Sequence, residues 1–386
     1  MGFEGTGIDG LLSGAVDAGT FSGVAAIVVD RDGVLYDGTA GDAAPNTMFR
    51  IASMTKALAT TGALQLVEQG RLDLDATVES ILPQFGELQV LDGFDGDVPR
   101  LRAPETKATI RQLATHTAGC GYFFVNANLF RYAELTGLPS PMTGLKASLM
   151  GPLARDPGTM WEYGVNTDWL GLVVEAVSGQ TLDAYLAEHV FEPLGMTDTT
   201  FSPTDEQRAR LMPIKARTPD GALAELELDL PPNPEWASSG HGGYGTIADY
   251  GRFIRAILND GDYDGTRILG ADTVELAFSD QIEGIPMPEL MESADHTLSN
   301  DVPALGVPQG WGLGFHLVNV DLPGMRSAGT GDWAGIFNTY YWIDRASGVG
   351  AALMTQVLPF FDEAIVQVLL EFEQAVYAQV RSAAAA

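Results

Sequence analysis

Basic residues are scarce in this chain: 21 Lys and Arg stand against 51 Asp and Glu, a formal charge of −30 over 386 residues. A field of that sign repels polyanions, and no block of clustered Lys or Arg offsets it. Binding to nucleic acid and to an anionic membrane surface is therefore not expected. Cysteine is nearly absent, and Cys120 alone permits neither a disulfide within the chain nor a cysteine-based metal site. No uncharged stretch approaches the ~18 apolar residues that span a bilayer. The N-terminal MGFEGTGIDG has neither the basic n-region nor the apolar h-region of a secretory signal, so a cytoplasmic protein is expected. G-x-S-x-G, H-E-x-x-H, the P-loop and the dinucleotide fingerprint are all missing. The five histidines are scattered singly, so no metal and no organic cofactor is expected. Only four lysines occur, Lys56, Lys107, Lys146 and Lys215, which makes each worth a question.

Hydrophobic residues make up 46% of the chain, enough to bury a large core, so the acidity belongs to a folded surface and not to a disordered tail. The length fits one large domain or two ordinary ones. Near the N-terminus, Ile8, Leu11, Leu12, Ala15 and Val16 share a helical face. A hairpin follows, with Val24–Val29 and Val34–Tyr36 joined by Arg31-Asp32-Gly33. The C-terminal end mirrors this: strands at Ile336–Ile343 and Val349–Met354, then a helix from about Asp362. Ala383 to Ala386 are set aside as a terminal tract.

Between the ends the periodicity is mainly helical: Met54–Gln69 closed by Gly70, Ile110–Thr115, Thr167–Ser178 closed by Gly179, and Leu182–His189. After Gly245 a helix over Thr246–Leu258 leads back toward the sheet. The pattern predicts an α+β fold in which an antiparallel sheet flanked by terminal helices is interrupted by a large helical domain. The expected division is 1–52 together with 235–386, and 53–234, with the site in the cleft between them. Gly121–Pro157 and Gln281–Gln309 show no clear periodicity and are read as rims of that site.

The positive chemical signal is Ser53-Met54-Thr55-Lys56, an S-x-x-K opening a helix. Residues i and i+3 share a helical face, so hydroxyl and amine can meet, and a helix N-terminus favours the negative charge that an attacked carbonyl develops. With sixteen serines and four lysines in 386 positions, chance predicts only about 0.2 such pairs. An N-capping serine beside an unrelated lysine is the alternative.

Context strengthens the signal. Arg50-Ile51-Ala52-Ser53-Met54-Thr55-Lys56, Leu113-Ala114-Thr115-His116-Thr117-Ala118-Gly119, Pro157-Gly158-Thr159-Met160-Trp161-Glu162-Tyr163 and Glu192-Pro193-Leu194-Gly195-Met196 occur in that order. Taken together they resemble the serine β-lactamase-like superfamily of class C β-lactamases, D-alanyl-D-alanine peptidases and family VIII carboxylesterases. The resemblance covers nearly the whole chain and implies the same sheet-plus-helical-domain architecture.

It also implies Ser53 as nucleophile, Lys56 as its partner and Tyr163 as the tyrosine of the second motif. A serine hydroxyl needs a base, and neither lysine nor tyrosine is basic at pH 7 unless its surroundings shift it, so the proton belongs to the coupled pair. Where β-lactamases carry K-T-G, this chain has Trp333-Ala334-Gly335, the W-x-G form of family VIII esterases. The resemblance makes these three residues substrate-binding and pairs the Ile336 N–H with that of Ser53 as an oxyanion hole. Val165 replaces an Asn that contacts the lactam side chain in class C enzymes. Losing that Asn and the cation weakens recognition of anionic β-lactams and favours a neutral ester. Tyr122, Phe123 and Phe124 are read as an acyl wall, Asp168 as a pocket residue, His116 as structural, and His241 as without chemistry. The expected function is a serine carboxylesterase acting on a small-molecule ester. β-Lactamase, D-amino-acid peptidase, amidase, acyltransferase and a non-hydrolytic penicillin-binding sensor are the alternatives. Oligomeric state has no signature in the sequence.

Overall fold

A computed structural model describes residues 5–228, 231 and 234–384, so Met1–Glu4, Asp229, Leu230, Pro232, Asn233, Ala385 and Ala386 lie outside the described residues. The apolar run Gly23–Asp30 forms β1, and Val34–Gly41 returns as β2. The turn between them is tied by Asp30, whose Oδ1 accepts from Asp32 N and Gly33 N at 2.9 and 2.8 Å. Five strands from the other end of the chain complete the sheet: Gln309–Trp311 (β3), His316–Val318 (β4), Thr330–Gly335 (β5), Thr339–Asp344 (β6) and Val349–Met354 (β7). Their order is β3-β4-β5-β6-β7-β1-β2, antiparallel throughout, with Ala25 opposite Met354 where the two ends of the chain join.

β1 is buried on both faces, and its period of two sorts the side chains into two layers. Val24, Ala26 and Val28 point toward α1 (Thr6–Asp17) and the C-terminal helix Glu363–Ala384. There they meet Ile8, Leu12, Ile365, Phe372 and Val376. Ala25, Ile27 and Val29 point the other way, toward Ile254 and Phe253 of the helix Ile247–Leu258. That second apolar cluster continues without a break into α2 (Thr55–Glu68) and α3 (Asn166–Ser178) through Leu58, Leu64, Trp169 and Val173. α2 is buried along almost its whole length, as befits a helix with neighbours on every side. α3 ends at Gly179 in the left-handed conformation, the stop expected from the sequence.

The structure redraws several boundaries. The strand expected over Ile336–Ile343 is shorter, since β5 ends at Gly335 and 336–338 form the turn into β6, with Asn338 at φ 57. The Leu182–His189 helix keeps α geometry only to Leu186 and widens to a π turn over Ala187–Phe191. The unassigned stretch from Gly121 contains a helix, Ala127–Thr136, capped by the Asn126 side chain and stopped by Gly137. The stretch from Gln281 carries a short ribbon pairing Leu290–Met291 with Val302–Pro303. Among the described residues no helix is long and apolar enough to cross a membrane.

Candidate active site

Ser53 lies in a 3-10 turn, Ala52–Met54, that leads directly into α2. Ala52 holds φ 46, a left-handed conformation costly for a residue with a Cβ, so the turn that presents Ser53 is strained. Its surroundings hold it there: the Ile51 N–H donates to Gly243 O at 3.0 Å, and Thr55 Oγ1 accepts from Gly243 N at 3.0 Å. One turn on, Lys56 is 1% exposed, and its Nζ donates to Ser53 Oγ at 3.0 Å, Tyr122 Oη at 3.2 Å and Gly240 O at 2.7 Å. An ammonium group has three protons, and all three are used. The rings of Tyr163 and Tyr122 lie 4.8 and 5.1 Å from Nζ, which helps a cation held away from water.

Tyr163 is buried, and its hydroxyl accepts a 3.1 Å hydrogen bond from Trp333 Nε1 on β5, with the two rings 5.0 Å apart. A second tyrosine therefore reaches the lysine. Tyr122, expected only as a wall, places its hydroxyl between Lys56 Nζ and Asp168 Oδ2, the latter 3.5 Å away. Burial, and then the Asp168 carboxylate, push the Tyr122 pKa well above the ordinary phenol range, so it stays a protonated phenol. His116 is buried in an aromatic cage with Tyr163, Trp161 and Trp311. Its Nδ1 accepts from Asn166 Nδ2 at 3.0 Å. Burial, aided by Lys56, holds its pKa well below the usual imidazole value, which suits a neutral packing residue.

β5 abuts the nucleophile turn so closely that a Cβ on Gly335 would fall 2.4 Å from Thr339 Oγ1 and 2.5 Å from Ile51 O. Only glycine fits there. Ser53 and Ile336, the two residues expected to form an oxyanion hole, line one cavity of about 470 Å³ together with Tyr122, Phe123, Phe124, Met142 and Trp236.

Several expected substrate contacts lie elsewhere. Ala334 points to the opposite face of β5 and packs against the cluster beneath the terminal helices, as strand alternation requires. Val165 is buried beside a separate small cavity that it shares with Cys120 and Leu129. Asp168 is fully buried behind the cavity wall, where it accepts from Ser238 Oγ at 2.8 Å and Gly240 N at 2.7 Å. Its contact is with the loop that holds Lys56. Trp333 and Gly335 bear on the site through Tyr163 and the nucleophile turn, and neither lines the cavity.

Sequence reasoning missed the Ser238–Gly243 segment, whose glycines signalled a turn but not that its carbonyl would clamp Lys56. It also missed Arg50 and Arg208, which line the cavity and make no ion pair with a carboxylate among the described residues. The cavity lining is of mixed charge, with Arg50, Arg208 and Lys146 alongside Glu175, Asp183 and Glu235.

Comparison with known proteins agrees with this geometry. The family model for beta-lactamase matches residues 8–374. Monacolin J acid methylbutanoyltransferase of Aspergillus terreus is 33% identical over 344 residues, 86% of this chain and 83% of that protein. Lovastatin esterase of Penicillium rubens is 29% identical over 401 residues, covering 96% and 98%. The unliganded simvastatin synthase of Aspergillus terreus, as its selenomethionyl derivative, superposes with a TM-score of 0.84 at 28% identity, covering 97% of this chain and 98% of that one. EstCE1, described as a hydrolase with promiscuous acyltransferase activity, shares the fold with a TM-score of 0.75 at 22% identity, covering 96% and 97%. With a family match over nearly the whole chain and a serine–lysine pair set in the shared fold, the protein belongs to the beta-lactamase family and is an enzyme of serine-hydrolase type.

Proposed function

We propose that the protein is a carboxylic-ester hydrolase that works through an acyl-enzyme on Ser53. The observation that carries this reading is the 3.0 Å contact between the buried Lys56 Nζ and Ser53 Oγ, the latter residue lining a cavity of mixed aromatic and polar character. In the proposed cycle the Lys56–Tyr163 pair takes the Ser53 proton while Oγ bonds to the ester carbonyl carbon. The oxyanion is met by the amides of Ser53 and Ile336. The proton then passes by way of the Lys56–Tyr163 pair to the departing alcohol as the C–O ester bond breaks. Water repeats the sequence in reverse and restores Ser53. Trp333 Nε1, donating to the Tyr163 oxygen, stabilises negative charge on it during both transfers.

A second reading, transfer of the acyl group to an alcohol in place of water, is supported by the relatives named for acyl transfer and by a cavity large enough for an acceptor as well as an acyl chain. Short- and medium-chain p-nitrophenyl esters and a chromogenic cephalosporin, assayed with the wild type, Ser53→Ala and Tyr163→Phe, test the first reading. Ester turnover should vanish in Ser53→Ala and fall by at least 100-fold in Tyr163→Phe. Undiminished turnover by Ser53→Ala would sink the assignment, and efficient cephalosporin turnover with negligible ester turnover would make the protein a β-lactamase.

A further inference from the structure

One polar group on the cavity wall has no part in the acyl-enzyme chemistry. His241 follows Gly240, whose carbonyl holds Lys56 and whose N–H is held by Asp168, so its backbone is fixed to the catalytic network. A Cβ at Gly240 would fall 2.5 Å from Asp168 Oδ2, which shows how tightly the segment is pressed into place. The His241 side chain lines the same cavity as Ser53.

Its protonation pattern follows from its neighbours. Ser238 Oγ lies 2.8 Å from Asp168 Oδ1 and 2.7 Å from His241 Nδ1. A hydroxyl has one proton and a carboxylate can only accept, so Ser238 donates to Asp168 and His241 Nδ1 must bring its own proton. The lone pair is then on Nε2, which has no partner among the described residues. Burial lowers the imidazole pKa below its ordinary value. Asp168 opposes that shift and Lys56 adds to it, so the ring is neutral near pH 7. The wall thus presents a hydrogen-bond acceptor fixed in direction by Ser238, which Asp168 holds in turn.

We propose that His241 Nε2 accepts a hydrogen bond from a hydroxyl group that the substrate carries away from its scissile ester, so that the preferred substrates are hydroxy-esters. The inference rests on the ester reading above and names its substrate class. An ether, a ketone or a carboxylate offers no proton and leaves Nε2 unmatched, and a site built to meet a hydroxyl discriminates against the analogue that lacks one.

The test compares each hydroxy-ester with its methyl ether, in two series with spacers of five to eight carbons. One series is ω-hydroxyalkyl butyrates, with the hydroxyl on the alcohol half. The other is p-nitrophenyl ω-hydroxyalkanoates, with it on the acyl half. The wild type should prefer the hydroxyl about tenfold in kcat/KM for at least one spacer, the gain expected of one hydrogen bond in a cavity open to water. The series that shows it tells which half faces His241. In His241→Phe the ratio should fall to about 1, and in His241→Gln, whose carbonyl can still accept, part of it should return. If His241→Phe does not fold, Ser238→Ala serves, because freeing Nδ1 lets Nε2 carry the proton and should bring the ratio toward 1. A wild-type ratio below 2 for every spacer in both series overturns the proposal, and so does a ratio undiminished in a folded His241→Phe or Ser238→Ala. No turnover of any ester by the wild type would defeat the ester reading itself, whereas turnover without hydroxyl preference defeats this inference alone.

Discussion

Replacing Trp333 by Phe isolates one bond of the proposed machinery. The phenyl ring keeps an aromatic face beside Tyr163 and Trp311, whose ring centroids lie 5.0 and 4.7 Å from that of Trp333, but it removes the Nε1–H that donates to the Tyr163 oxygen. The size of the effect depends on the charge of that oxygen in the rate-limiting transition state. If Tyr163 holds negative charge there, the lost bond went to a charged acceptor and is worth about 1.5–3 kcal/mol. At about 1.4 kcal/mol per decade, kcat then falls roughly 10- to 150-fold. If Tyr163 stays neutral, the bond contributes equally to ground and transition states and kcat hardly moves. Tyr122 is a poor substitute, because burial beside Asp168 keeps it a phenol. The expected outcome is therefore the larger loss, measured as steady-state hydrolysis of p-nitrophenyl butyrate, with thermal unfolding to confirm that the variant is folded. A kcat within threefold of wild type in a folded Trp333→Phe refutes the charged-tyrosine step.

Two further outcomes follow from packing and charge. Gly335→Ala puts a methyl group against Ile51 O and Thr339 Oγ1 at 2.5 and 2.4 Å. It should lower stability by about 1–3 kcal/mol, and displacement of the nucleophile turn should cut kcat by about 100-fold. Calorimetry and ester kinetics check the two effects separately. Asp198 accepts from both terminal nitrogens of Arg210, a bond that holds its carboxyl below the usual range, and both side chains are partly exposed. Because the folded pKa lies below the unfolded one, the stabilisation is complete above about pH 4 and is lost as pH falls through the folded value. Asp198→Asn should cost about 1 kcal/mol at pH 7, allowing for screening of a partly exposed pair. In urea titrations the variant and wild type should converge as the medium is acidified below about pH 4, and a gap that stays constant with pH would remove the ion-pair explanation.

What the sequence determined by itself was whatever depends on near neighbours along the chain. The hairpin at Asp30–Val34 and the glycine stops at Gly70 and Gly179 follow from turn chemistry and period. The Ser53–Lys56 contact likewise needs only helical spacing, and the structure sets it at 3.0 Å. Where a side chain's role depended on a partner far away in sequence, residue type alone gave only part of it. Tyr122 read as apolar wall because nothing local says its hydroxyl meets a lysine 66 positions earlier. Ala334 shares a motif with Trp333, but a strand turns adjacent side chains to opposite faces, and only the packed helices reveal which face is which. The Gly240 carbonyl, the Asp168–Ser238–His241 chain and the cavity-lining Arg50 and Arg208 exist as site features only once 50–56, 122, 168, 208 and 238–241 are brought together. Tertiary structure decided these because hydrogen bonds and desolvation act over a few ångströms in space, whatever the separation along the chain.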